Sequence, residues 1–213
     1  RVRRQRQMCI RDRALNDFSE SSTYKEDKDY WMEQISLIPP APMLPLQKDP
    51  SVIRKPQFAR IEKVIPKSEW NVLQKEAKKK GITTSTLLCT AYALVLGYWS
   101  NQPELTINVT VFTRYPFNEG VTDIVGDFTS VILLRVNLLG RSDFWKLASE
   151  IQNQLMDALE HRHYDGMNVI RKIAEQAEMK EQAVMPVVFT SLLFSMEEGD
   201  IVTIEAVSYT HLT

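Results

Sequence analysis

The chain has 213 residues, 44% hydrophobic and 25% charged, an ordinary composition for a soluble globular protein with room for one large domain or two small ones. A formal net charge of -1 gives no general argument for nucleic acid or an acidic surface as partner, and no window approaches the roughly 18 apolar residues a membrane span needs. Cys9 and Cys89 are the only cysteines and form no Cys-x-x-Cys pair, so no disulfide framework is expected and a reducing cytoplasm is the simpler setting.

Residues 1–13, RVRRQRQMCIRDR, hold six arginines and show no helical or strand period. A basic arm is the functional reading of such a run. Residues 207–213, VSYTHLT, stop abruptly after a strand-like run. Both strings resemble translated sequencing-library adapter, so both are expected to be non-native tails and the chain a fragment.

Residues 14–38 carry a charged helical segment with Tyr30, Trp31, Ile35 and Ile38 near helical spacing. Then Pro39, Pro40, Pro42 and Pro45 fall within seven residues. That density rules out helix and favours an extended strap. A proline-rich partner ligand is the alternative to a linker, but apolar neighbours favour packing.

A strand is expected over 58–65, ended by Pro66. Ser68 then caps a helix to Lys80, with Trp70, Leu73 and Ala77 inward, Lys78, Lys79 and Lys80 at the dipole's negative end, and Gly81 just past it. The lysine run reads as a solvated helix end. A second helix from Thr83 or Thr84 to Trp99 is apolar nearly all round, which predicts a central position. Residues 105–112 alternate: Leu105, Ile107, Val109 and Val111 share one face, and Thr106, Asn108 and Thr110 the other. That polar face meets solvent or lines a cleft.

Next comes Val125-Gly126-Asp127-Phe128-Thr129-Ser130, followed by the apolar run Val131 to Leu134, which reads as a strand buried on both faces with a polar cluster at its mouth. Ser142 caps a long amphipathic helix through Phe144, Leu147, Ile151, Leu155 and Leu159, broken at Tyr164-Asp165-Gly166. A short helix over 167–177 and strands at Met185-Pro186-Val187-Val188-Phe189-Thr190-Ser191-Leu192-Leu193 and 201–206 complete the chain, with a turn at Glu198-Gly199-Asp200. The order strand, helix, helix, strand, strand, helix, helix, strand, strand predicts an α/β domain with a mixed sheet.

There is no phosphate-cradling glycine loop and no Gly-x-Ser-x-Gly elbow. His161 and His163 with the nearby Asp165 could supply metal ligands, but no fourth ligand is in evidence. A degraded acyltransferase motif has the wrong spacing. A helix C-terminus suited to cations is the plainer reading. The two Phe-Thr-Ser segments offer small hydroxyls at strand mouths, with Asp127 two residues before Thr129. Strand propensity alone also favours threonine. If the two strands meet in space, the cluster fits positioning and proton shuttling better than nucleophilic attack.

These residues carry a resemblance. Tyr30-Trp31 with the strap at 37–46, Thr83-Thr84-Ser85-Thr86-Leu87-Leu88 through Tyr98-Trp99-Ser100, Ile107-Asn108-Val109-Thr110-Val111-Phe112-Thr113-Arg114, Gly126-Asp127-Phe128-Thr129-Ser130, His161-Arg162-His163-Tyr164 and Pro186-Val187-Val188-Phe189-Thr190-Ser191 occur in that order. Across residues 24–194 the chain resembles the C-terminal half of a nonribosomal peptide synthetase heterocyclization domain, in the condensation-domain superfamily. The two Phe-Thr-Ser motifs separate that subfamily from amide-forming condensation domains.

The resemblance implies a fold similar to chloramphenicol acetyltransferase: two α/β lobes in a V, with the active site in a tunnel between them. Residues 14–57 would be the inter-lobe helix and strap, and 58–206 the C-terminal lobe. It implies that a carrier-bound acyl or peptidyl thioester is joined to cysteine, serine or threonine and cyclodehydrated to a thiazoline or oxazoline. No cofactor is expected to bind directly. Substrates ride on the phosphopantetheine of neighbouring carrier domains. Expected partners are peptidyl carrier domains, an adjacent adenylation domain and the missing N-terminal lobe, with no nucleic acid and no membrane. Thr190 becomes the candidate for cyclodehydration, with Asp127 and Thr129 from the other motif; Asn108, Ser130 and Ser191 are candidates for substrate binding. The family's Asp-x-x-x-x-Asp motif has no counterpart here, and a later motif with a second catalytic aspartate would follow Thr190. The isolated chain is therefore expected to be inactive. The alternatives are a noncatalytic carrier-docking lobe and an amide-forming condensation domain.

Overall fold

A computed structural model describes residues 18–48, 52–55, 59–113, 128–140, 143–177, 184–191, 193 and 203–208. Helix α1 spans Ser22–Gln34, and the hydroxyl of Ser21 caps it by accepting from the Tyr24 N–H at 3.2 Å. A 3₁₀ turn at Ile35–Leu37 leads into the extended proline strap. Then follow β1 (Ala59–Val64), α2 (Lys67–Lys79), α3 (Thr84–Ser100), β2 (Glu104–Phe112), β3 (Thr129–Asn137), α4 (Phe144–Glu160), α5 (Gly166–Gln176), β4 (Val188–Phe189) and β5 (Thr203–Ser208). From β1 onward this is the expected order of elements.

The main sheet has strand order β3-β2-β4, with β2 antiparallel to β3 and parallel to β4, so it is mixed as expected. β4 is much shorter than the strand expected across 185–193. β1 and β5 stand apart as a two-stranded antiparallel ribbon. Arg60, Glu62 and Lys63 make β1 polar, and its Ile61 and Val64 are exposed, so it has no apolar face to seat in the core. The turn expected at 198–200 lies outside the described residues. The core joins Leu105 and Ile107 of β2, Ile132, Leu134 and Val136 of β3, Leu147 and Ile151 of α4, Val169 of α5 and Trp31 of α1. Close packing of this kind is what fixes the sheet relative to its helices.

Helix ends show which local signals prevailed. Thr83 caps α3, its Oγ1 accepting from the Thr86 N–H at 3.1 Å, and Gly81 takes the left-handed φ of 69° just beyond α2. Ser68 does not cap α2: the helix starts at Lys67 directly after Pro66, whose fixed φ of -56° already directs the chain into it. Leu73, expected inward, is exposed, while Trp70 and Ala77 are buried. At α4 the cap is Asp143 rather than Ser142. Its Oδ1 accepts from the N–H groups of Trp145 and Lys146, and a carboxylate answers the helix dipole as well as the orphan donors.

The apolar helix α3 is only half enclosed. Leu87, Cys89, Ala93, Leu96 and Gly97 are buried, whereas Tyr98 is 81% and Trp99 62% exposed. Apolar composition alone does not establish which faces of a helix find partners. No single helix among the described residues is long and apolar enough to cross a membrane.

Burial pushes the Cys89 thiol from its usual 9.0 up to about 12. In a Cys9→Ser background, Cys89 should therefore resist maleimide near pH 8 in the folded protein and react once unfolded. Below about pH 9 neither state loses the proton. Between about 9 and 12 only the unfolded chain ionises, so stability should fall across that window, and Cys89→Ala should flatten the fall. Urea titrations at stepped pH measure it.

Candidate active site

β2 is the strand around which the polar side chains gather. The N–H of Thr106 donates to Pro40 O and that of Asn108 to Val187 O, both at 3.0 Å, so the strap and β4 follow the same edge of β2. The side chains repeat the pattern. Thr106 Oγ1 donates to Pro39 O at 2.6 Å and Asn108 Nδ2 to Met185 O at 2.7 Å, while the hydroxyls of Thr110 and Thr190 meet at 2.7 Å. The polar face of β2 thus divides. Thr106 and Asn108 are buried and bonded to backbone, and Asn108 Oδ1 has no hydrogen-bond partner among the described residues. Thr110 sits where the strand surfaces: residues 105–109 are buried, Thr110 and Val111 half-buried, and Phe112 exposed.

The antiparallel register pairs Thr110 with Val131 and Phe112 with Thr129. Paired residues project to the same face, so Asn108, Thr110 and Thr129 share one face of the sheet, and Thr190 joins it through Thr110. Thr129 and Thr190 are both exposed at this end. The serines beside them point elsewhere. Ser130 Oγ donates to Asp165 Oδ1 at 2.6 Å, and the same oxygen caps α5 by accepting from Met167 N–H at 2.9 Å. Ser191 and Ser85, in the first turn of α3, share a 2.6 Å hydroxyl contact. In each Phe-Thr-Ser triplet the threonine faces the open end and the serine fastens the strand to a helix.

The expectation that the two Phe-Thr-Ser strands meet is corrected by the strand order: β2 lies between β3 and β4. Asp127 lies outside the described residues. The following residue, Phe128, is buried, and its carbonyl accepts from both the N–H and the hydroxyl of Thr113 at 2.8 and 3.0 Å.

His161 and His163 close a different site. Both ring Nδ1 atoms reach one buried carboxylate, His161 to Asp27 Oδ1 at 3.1 Å and His163 to Asp27 Oδ2 at 2.9 Å, and the His163 N–H donates to Oδ2 at 2.8 Å. With a carboxylate as acceptor, each Nδ1 carries the proton. Tyr30 stacks on His161 with ring centroids 3.7 Å apart, and Trp31 Nε1 donates to His161 O at 2.8 Å. The motif binds α1 to the end of α4. Among the described residues no group of three or more His, Cys, Asp or Glu could hold a metal ion. Replacing Asp27 by asparagine leaves partly buried donors short of an acceptor and should cost about 1–3 kcal/mol in urea-unfolding free energy.

Sequence reasoning passed over Thr110 as a site residue although it had placed it on the polar face. The available signal was its position two residues beyond Asn108, toward the strand's exposed end. Asp27 gave no such signal, since it sits in a charged run and its partners are 134 and 136 positions away.

The family model of the condensation domain matches residues 13–210. The chain belongs to the condensation-domain family. Within that family, the domain is 44% identical to bacitracin synthase 1 of Bacillus licheniformis over 181 residues, 84% of this chain and 3% of that protein. It is 33% identical to phenyloxazoline synthase MbtB of Mycobacterium tuberculosis over 167 residues, 78% of this chain and 12% of that protein. Among solved structures, the EpoB NRPS cyclization-docking bidomain from Sorangium cellulosum matches with a TM-score of 0.75 at 35% identity, covering 84% of this chain and 36% of that one. The chain spans a small fraction of these synthetases. The fold is that of the condensation domain, an α/β lobe resembling chloramphenicol acetyltransferase, as the sequence led one to expect.

Proposed function

We propose that this condensation-family domain forms one wall of a heterocyclization site. There, a carrier-bound acyl or peptidyl thioester condenses with cysteine, serine or threonine, and the new amide is closed and dehydrated to a thiazoline or oxazoline. The observation that carries this reading is the Thr190 hydroxyl, held 2.7 Å from that of Thr110 at the exposed end of the sheet. Its setting in a Phe-Thr-Ser segment, and relatives whose names include a phenyloxazoline synthase and a cyclization-docking bidomain, favour cyclization over amide formation alone.

The chemistry needs two proton movements. In ring closure the thiol or hydroxyl attacks the amide carbon, its proton leaves, and the carbonyl oxygen gains one. In dehydration the resulting hydroxyl departs as water with a further proton, the ring nitrogen loses its hydrogen, and the C=N bond forms. A threonine hydroxyl is a weak base but an effective shuttle, accepting through one lone pair while donating its own proton. Thr190 takes that role. Thr129, on the same face and exposed, is the next candidate to orient the substrate, and the buried Asn108 would contribute by holding Met185 O and so the segment that carries Thr190. Asp127, from the Thr129 motif, remains a proposed contributor. Ser130 and Ser191 enter the reading through the strand positions they hold.

Carrier domains would present both substrates on phosphopantetheine arms, with an adenylation domain selecting the amino acid. The test is Thr190→Val in the complete synthetase module, with amide and heterocycle measured separately on the carrier. Loss of heterocycle with amide retained supports the reading. Unchanged heterocycle removes it.

A further inference from the structure

We propose that Thr110 is a positioning residue for cyclodehydration, acting through Thr190 by holding its hydroxyl and setting which way its proton points. This rests on the reading of Thr190 given above.

The two side chains differ in how firmly their backbones are held. Thr110 lies in the middle strand of the sheet, paired with Val131 across the β2–β3 ladder. Thr190 follows β4, whose ladder with β2 ends at Val109 and Phe189. The sheet therefore positions Thr110 directly and Thr190 only through what Thr190 touches. Two flanking ties bring Thr190 to the right place: Asn108 Nδ2 holds Met185 O upstream, and Ser85 holds Ser191 downstream. The 2.7 Å contact with Thr110 then fixes the hydroxyl itself.

Either oxygen of the pair can donate. When Thr110 donates, Thr190 keeps its proton free to give to an oxygen of the substrate. When Thr190 donates to Thr110, it offers lone pairs to accept a proton from the attacking side chain. Rotating two hydroxyl hydrogens exchanges these states without moving a heavy atom. Ring closure and water loss need these two settings in turn, and in this proposal Thr110 sets them through Thr190 and exchanges no proton with the substrate itself. Across both steps the pair gains and loses no net proton.

Valine keeps the shape and strand preference of threonine, so Thr110→Val removes the hydroxyl with little disturbance of the sheet. Thr110→Ser restores the hydroxyl. Both variants are made in the complete synthetase module, and carrier-bound amide and heterocycle are quantified by mass. Thr110→Val should lower the ratio of heterocycle to amide about tenfold, the effect of one lost hydrogen bond, while amide formation stays within about twofold. Thr110→Ser should return most of the ratio. Adding Thr110→Val to Thr190→Val should lower the ratio no further. A purely structural role would lower both products together, and that outcome overturns the proposal. So does an unchanged ratio, or an additive double variant. If Thr190→Val lowers the ratio and Thr110→Val does not, only the role of Thr110 fails; if Thr190→Val leaves it unchanged, both readings fail.

Discussion

Thr190→Val in the intact module should depress heterocycle formation by about 10²- to 10⁴-fold, the usual contribution of a positioned proton-transfer group, and leave the preceding amide bond nearly intact. The separation is expected because the two reactions make different demands. Amide formation brings a free amine to a thioester, which is mainly a matter of proximity. Ring closure asks a weakly electrophilic amide to accept a nucleophile and then give up its oxygen, and both steps need a proton delivered or withdrawn at a fixed point. In the proposed reading that point is the Thr190 hydroxyl, which the structure holds against Thr110 at the exposed end of the sheet. Valine conserves its outline, and the residue is solvent-exposed, so a general loss of stability is not expected. Thr190→Ser should recover a substantial part of the activity. An uncyclized amide accumulating on the carrier, with its rate of formation unchanged, is the signature. A parallel fall in both products would assign Thr190 to folding or docking.

Much of the scaffold for this residue was legible in the chain. The alternation across 105–112 gave β2, the helical period from Phe144 to Leu159 gave α4, and Thr83 and Gly81 marked helix ends where they occur. These are local signals, each carried by a few adjacent residues. What was not legible depended on contacts between distant segments. Nothing in the polar run around Asp27 shows that its carboxylate will hold His161 and His163. Ser142 and Asp143 are both good caps in isolation, and Asp143 is the one that accepts from the first-turn N–H groups. The exposed stripe on α3 could not be read from apolarity, because burial needs a partner surface. The site itself was half legible. Thr190 and Asn108 were singled out and lie on one face with Thr110, while Thr110 was not singled out, because strand order determines which polar residues become neighbours. The paired serines illustrate the same limit: adjacent hydroxyls in one motif project to opposite sides of a strand, so a shared motif does not mean a shared site.

Gly166→Ala should be the most damaging small substitution, costing about 3 kcal/mol of unfolding free energy, the upper end of the usual cost of overpacking. A Cβ at this position would fall on the carbonyl oxygen of Val131 and lie 2.9 Å from its carbon and 3.3 Å from the Cα of Ile132. These are backbone atoms of β3, which cannot rotate away, so either the strand or the start of α5 must move. Moving α5 strains the Asp165 cap and its 2.6 Å bond from Ser130. Gly97→Ala provides the control. Its added methyl meets chiefly the end of the Leu138 side chain, which can change rotamer, and alanine is the better helix former by about 1 kcal/mol. That variant should stay within about 1 kcal/mol of the parent. Urea unfolding followed by near-ultraviolet circular dichroism compares the two. The consequence should also reach the chemistry, because Val131 is the ladder partner of Thr110. A β3 displaced at Val131 shifts Thr110 relative to Thr190, so Gly166→Ala should lower the ratio of heterocycle to amide even at temperatures where the variant remains folded. If the variant is as stable as Gly97→Ala, the close approach of α5 to β3 is wrong. If it is destabilised but cyclizes normally, the strand yields without disturbing the hydroxyl pair.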